Sequence, residues 1–161
     1  MNLGAEFSPC RKYRYLLWRH WGRTGVTLTW IMLNPSTADE LTDDPTIKRC
    51  IGYSLNMGFS GCVILNIFAW RATDPNQLLL QADPVGPEND RYISEAAHAG
   101  GTIVCAWGNV HKQISDRAPA VLKILSGADL RCLKITAHGN PWHPLYLSHK
   151  LPLIRYEIPL R

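Results

Sequence analysis

Apolar positions change period at regular intervals along the chain. Tyr13 to Trp21 alternate as an extended amphipathic run, and Gly22-Arg23-Thr24-Gly25 turns into an unbroken apolar stretch from Val26 to Leu33. That pattern predicts an antiparallel hairpin whose second strand enters the core. Asp44-Pro45 offers an N-cap and a proline for the first helical position; Ile47, Cys50, Ile51 and Leu55 then recur at helical spacing, up to a stop at Gly58. Cys62 to Phe68 is short, apolar and β-branched, as buried strands are. Pro87 opens a helix with Tyr92, Ile93, Ala96 and Ala97 on one face, closed by Gly100-Gly101. Thr102 to Trp107 reads as a third buried strand, and residues 109–125 as one helix or two short ones interrupted near Pro119. Arg131 to Thr136 reads as a last strand. Leu151 to Pro159 fits either an edge strand or a dimer contact.

Strand–helix alternation of this kind predicts an α/β protein: a mostly parallel central sheet with helices on both faces, plus an N-terminal antiparallel hairpin strand. With no repeat, low-complexity tract or linker, the 161 residues are expected to form a single domain, 1–161.

Composition narrows the classes. The chain is 46% hydrophobic and 19% charged, which suits a globular protein rather than a disordered or fibrous one. A net charge of +4 allows an anionic ligand or nucleic acid without requiring either. No apolar stretch approaches the roughly 18 residues that span a bilayer. No apolar segment follows a basic start, so no secretory leader is expected, and the location expected is cytoplasmic. The five cysteines show no metal-ligand spacing and read as reduced thiols. No metal or other cofactor is expected.

Polar residues gather where the predicted strands end. The first ends in Asn34-Pro35-Ser36. The second carries Asn66 and is followed by Trp70-Arg71-Ala72-Thr73-Asp74. The third ends in Trp107-Gly108-Asn109, and the fourth in His138 to Leu145. Ligands of open parallel sheets bind outside the carboxyl ends of the strands. Each residue alone has an ordinary explanation: Asn and Ser before or after Pro are turn chemistry, Arg71 can pair with Asp74, and loop histidines are usually hydrogen-bonded. Asn66 is harder to dismiss, because a buried amide needs partners. As a set, they define a candidate site. The chain has neither a Gly-rich phosphate loop nor a GxSxG elbow. Amides, hydroxyls, an arginine and imidazoles suit a planar polar group such as a nucleobase, and an anion that develops on a leaving group.

Six segments, LNPSTAD, DDPT, NIFAWRATDP, DPVGPEND, AWG and GNPWHPLYL, occur in the order found in an uncharacterised bacterial and phage domain family, which the chain resembles over nearly its full length. A more distant resemblance is to the uracil-DNA glycosylase superfamily. Met32-Leu33-Asn34-Pro35 stands in the place of its first motif, Ile64-Leu65-Asn66 in the second, Ala106-Trp107-Gly108 in the third and His143 to Ser148 in the HPSPLS-like fourth. That resemblance implies a three-layer α/β/α fold. It implies that Asn34 orients the attacking water, Asn66 reads the base edge and His143 donates to the carbonyl that gathers charge. It places Leu145 and Tyr146 in the segment pressed into the minor groove, with Arg71 and Lys150 on phosphate. Pro35, Ser36, Trp107 and Asn109 complete the expected binding set. Met32 replaces the motif's glycine, HPLY replaces HPSP, and the carboxylate missing at position 34 could come from Asp39, Asp43 or Asp44.

The expected function is a nucleobase-recognising, metal-independent DNA N-glycosylase-like hydrolase. Alternatives are a hydrolase or transferase acting on a nucleoside or nucleotide, and a non-catalytic nucleic-acid-binding module. The partner is then DNA or a nucleotide. A DNA substrate further requires Arg71, Arg91, Lys112, Lys150 and Arg155 to fall near His143.

Overall fold

Seven strands share one sheet in the computed structural model, which describes residues 1–157. In chain order the elements are β1 (Asn2–Phe7), β2 (Arg14–His20), β3 (Thr27–Met32), α1 (Pro45–Asn56), β4 (Gly61–Asn66), α2 (Asn89–Ala99), β5 (Thr102–Cys105), α3 (Arg117–Ile124), β6 (Asp129–Cys132) and β7 (Ile154–Arg155). The sheet runs β1-β2-β4-β3-β5-β6-β7. Its middle, β4-β3-β5-β6, is parallel; β1, β2 and β7 join antiparallel at the two sides.

The expected hairpin between residues 13–21 and 26–33 does not form. β4 inserts between those two strands, antiparallel to β2 and parallel to β3. The connecting turn explains how. Trp21 and Gly22 N–H donate to Ser60 O, Ser60 N–H donates to Val26 O, and Ser60 Oγ donates to Thr24 O. The turn therefore wraps around the residue preceding β4 instead of closing on itself. A Cβ at Gly25 would lie 2.1 Å from Ser60 Oγ, so only glycine permits the approach. The true hairpin partner of β2 is β1, which the apolar pattern did not reveal.

Alternation along the central strands divides the core between the faces of the sheet. Leu28, Trp30, Met32, Cys62, Ile64 and Val104 pack on the side of α1, with Ile47, Cys50 and Tyr53. Ile31, Leu65, Ile103 and Cys105 pack on the other side, with Ile93 of α2 and Val121 and Leu122 of α3. α1 starts where predicted, with the Asp44 carboxylate accepting from Ile47 N–H at 2.9 Å. Its Leu55 is exposed, however, and Tyr53 takes the core position.

β6 ends at Cys132, short of Thr136, because residues 134–142 turn back on themselves: Thr136 N–H donates to Asn140 O, and Trp142 N–H to Lys134 O. Residues 109–125 hold a short turn at Lys112–Ile114 and then α3. β7 is an edge strand within Leu151 to Pro159, one of the two readings of that segment, whose residues 158 and 159 lie outside the described part. Among the described residues no helix is long and apolar enough to cross a membrane.

Candidate functional site

β3 and β4 end side by side, Met32 opposite Asn66, so the segments that follow them meet at the carboxyl edge of the sheet. They are zipped together there. Ala72 N–H donates to Pro35 O at 2.9 Å, and Asn34 Nδ2 donates to Ala72 O at 2.8 Å and Pro35 O at 3.0 Å. The Asn34 amide nitrogen is thus committed to the backbone, and its oxygen remains the group that can meet a ligand.

At this edge lies a small cavity of about 40 Å³, whose walls include Asn34, Pro35, Ser36, Asn66 and His143. Five of the sequence-predicted residues converge on it. Met32, the position where the glycosylase motif has glycine, forms one wall and narrows the space. The volume holds water comfortably, since a single water needs roughly 10–15 Å³ of such space. A base requires the walls to part.

Asn66 is 2% exposed and its Nδ2 has no hydrogen-bond partner. Such a group costs about 1–3 kcal/mol if left unpaired, so a water or a ligand is expected to meet it. Its position is fixed from the far side of the sheet. Asn89 Nδ2 donates to Asn66 O and Ile67 O, and Arg117 Nε donates to Ile67 O. Two buried side chains of α2 and α3 thus hold the end of β4 while its amide faces the opposite way, into the cavity.

His143 begins the Pro144–Tyr146 turn, and its Nδ1 accepts from Leu145 N–H at 3.2 Å. Burial lowers its pKa below the ordinary imidazole value, an effect the nearby Asp44 carboxylate partly opposes. The ring is therefore neutral at pH 7 with its proton on Nε2, which makes it a hydrogen-bond donor. α1 clamps this segment: Arg49 Nε donates to Pro144 O at 3.2 Å, its terminal nitrogens reach Leu147 O and His149, and Tyr53 Oη donates to Ser148 O.

Arg14, which the sequence did not single out, and Asp44, one of three carboxylates it offered, also line the cavity. Arg14 is 2% exposed; its Nη1 donates to Ala38 O, and its Nε has no partner. Burial pushes its pKa down to about 10, which leaves it charged at neutral pH. The three candidate carboxylates are placed differently. Asp43 is paired with Arg19 at 2.8 Å, and Asp39 accepts from Leu41 and Thr42 N–H. Asp44 alone of the three lines the cavity, its oxygens oriented by Ile47 and Ala38 N–H.

The other predicted residues lie elsewhere. Arg71 lines a larger groove that shares Ser36 with the cavity. It does not pair with Asp74, which instead caps the turn at Asn76. Trp107 is buried in the α2–α3 core, edge-on to Tyr156, its Nε1 unpartnered. Asn109 is exposed and accepts from Thr136 and Asn140. Leu145 is half-buried and Tyr146 is 88% exposed. Two of the basic residues named for a DNA surface have carboxylate partners. Arg91 is held on α2 by Glu88 and Glu95, and Arg155 stands on β7 beside Glu157.

Fold and site define an α/β protein with a polar cavity at the carboxyl edge of its parallel strands. Within that class the chain belongs to the family described as Protein of unknown function (DUF1643), whose model matches residues 14–145. Neither the curated proteins nor the solved structures contain a match.

Proposed function

We propose that the cavity binds the edge of a nucleobase and that the protein hydrolyses an N-glycosidic bond. The observation that carries this reading is the buried, unpartnered Nδ2 of Asn66, in a cavity that also holds Asn34, Asp44 and His143. Asn66 suits a base edge because one amide offers a donor and an acceptor in one plane. A water oriented by Asn34 Oδ1 attacks the anomeric carbon and gives its proton to Asp44. The carbon–nitrogen bond breaks, its electron pair passes into the base, and the charge that gathers on the base carbonyl is met by His143 Nε2–H. The base anion takes up the proton that Asp44 received, and the products are the free base and a sugar hemiacetal. Helices on both faces of the sheet, with the site at its carboxyl edge, are consistent with a three-layer glycosylase-like fold.

The pairing of Arg91 with Glu88 and Glu95 and of Arg155 with Glu157 favours a second reading, in which the substrate is a nucleoside or nucleotide rather than duplex DNA. Single-turnover release of base distinguishes them, using deaminated and alkylated bases presented in oligonucleotides and as free nucleotides. Asp44→Asn keeps a capping side chain but cannot take the proton, and is expected to slow release by 10²-fold or more. Absence of release from every substrate at enzyme excess would overturn the hydrolase reading.

A further inference from the structure

The groove that shares Ser36 with the cavity has a volume of about 450 Å³, within the range of small-molecule sites. Its rim carries Arg11, Lys12 and Arg71, and hydroxyls of Ser36, Thr37 and Thr73 line it. The guanidinium carbons of Arg11 and Arg71 lie 4.0 and 4.8 Å from the centre of one ring, that of Phe7. Among the described residues one of the three cations is in an ion pair. Arg11 pairs in bidentate fashion with Glu40 at 2.7 and 2.9 Å. Lys12 and Arg71 have no carboxylate partner among the described residues. Arg71 instead reaches the carbonyls of Ser36 and Arg11 at 3.4 and 3.3 Å, which leaves donors to spare. Lys12 Nζ lies over the Trp70 ring and Arg71 over that of Phe7, and both line the groove, so an anion bound there meets two cations.

We infer that this groove is a subsite for a phosphoryl group, placed so that a nucleotide can set its base in the cavity and its phosphate between Lys12 and Arg71. The geometry that supports it is the joining of a planar-group recogniser to a two-cation groove through Ser36. The placement follows from topology. β2 runs antiparallel to β4, so the loop that enters β2 arrives at the edge where β4 ends, bringing Arg11 and Lys12 to the site. A phosphate has three acceptor oxygens for these donors, and the charge-assisted bonds are the strong kind. The nucleotide placement rests on the nucleobase reading of the cavity; the phosphoryl subsite does not.

The test is calorimetric titration with inorganic phosphate, deoxyuridine, deoxyuridine 5′-monophosphate and a deoxyuridine-containing single-stranded decamer. The wild-type protein is expected to bind the monophosphate at least tenfold more tightly than the nucleoside. Lys12→Ala/Arg71→Ala is expected to erase that difference. Lys12→Glu, which removes no side-chain hydrogen bond, should act in the same direction if the double variant fails to fold. With the decamer, the slope of log affinity against log salt should shrink by about 0.7 for each lost contact. A stronger response to the decamer than to the monophosphate assigns the phosphate to a polymer, the reverse to a free nucleotide. Phosphate binding that depends on Lys12, without binding of deoxyuridine, supports the subsite and removes the base reading. Equal binding of phosphate-bearing probes by wild type and variants, or no binding of any of them, overturns the inference.

Discussion

Asn34 and Asn66 end neighbouring strands and put the same side chain to opposite uses. Asn34 ties two loops together through both protons of its amide nitrogen. Asn66 ties nothing through its own, although it is the more deeply buried of the two. Asn34→Ala should therefore cost stability, while Asn66→Leu, similar in volume, removes a buried donor that lacks a partner. We expect Asn66→Leu to raise the melting temperature by roughly 2–6 °C, equivalent to about 1–2 kcal/mol, and to abolish ligand binding. Thermal melting beside titration checks it; a drop in melting temperature would show that Asn66 already has its partner. His143 gives the second residue-scale expectation. Its folded pKa lies below 6.5, so between the two values the unfolded chain binds more protons than the folded one. Stability should rise with pH through that window and fall as pH drops below about 6.5. Melting curves from pH 4.5 to 7.5 should lose part of this acid dependence in His143→Gln.

Arg49, on α1, holds the turn that carries His143 without touching the cavity. Arg49→Ala is expected to leave the sheet intact and to speed amide exchange at residues 144–151 alone. Exchange that rises across α1 as well would make Arg49 a general stabiliser of the fold. The elements also explain what the sequence disclosed. The strand ends Asn34 and Asn66, the Asp44 cap and the His143 loop were legible because parallel strands present their ligand groups at their carboxyl ends. Arg14 was not, because it stands at the start of a strand. It reaches the same edge only because β2 runs the other way, and nothing local in YRYLLW states that direction. The mispaired hairpin has the same origin: that β4 would insert between β2 and β3 depends on Ser60, 34 residues beyond Val26. Trp107 and Asn109 follow a strand as the others do, but the segment after β5 carries one into the core and the other outward.

Across the whole molecule, the N-terminal hairpin is fastened as firmly as the central strands. Arg19 is 1% exposed; it pairs with Asp43 at 2.8 Å and donates to the carbonyls of Gly4, Trp18 and Asp39. It joins β1, β2 and the loop after β3 at one point. Arg19→Leu should cost about 3 kcal/mol and lower the melting temperature by roughly 6–12 °C in a single transition. Two transitions would show instead that the hairpin is a separable unit. The turn that joins the two strands of this hairpin also offers a chemical handle. Arg11 holds it in a left-handed conformation, φ +58°, and the preceding Cys10 is exposed, its thiol pKa lowered by the Ser8 hydroxyl. The other four cysteines are buried; burial pushes Cys62 up to about 12 and Cys132 up to about 11, with Cys50 and Cys105 raised as well. A thiol-reactive dye at neutral pH should therefore label the unmodified chain at one place. That place directly precedes Arg11 and Lys12, which line the groove, so the fluorescence of the dye would report what binds beside them.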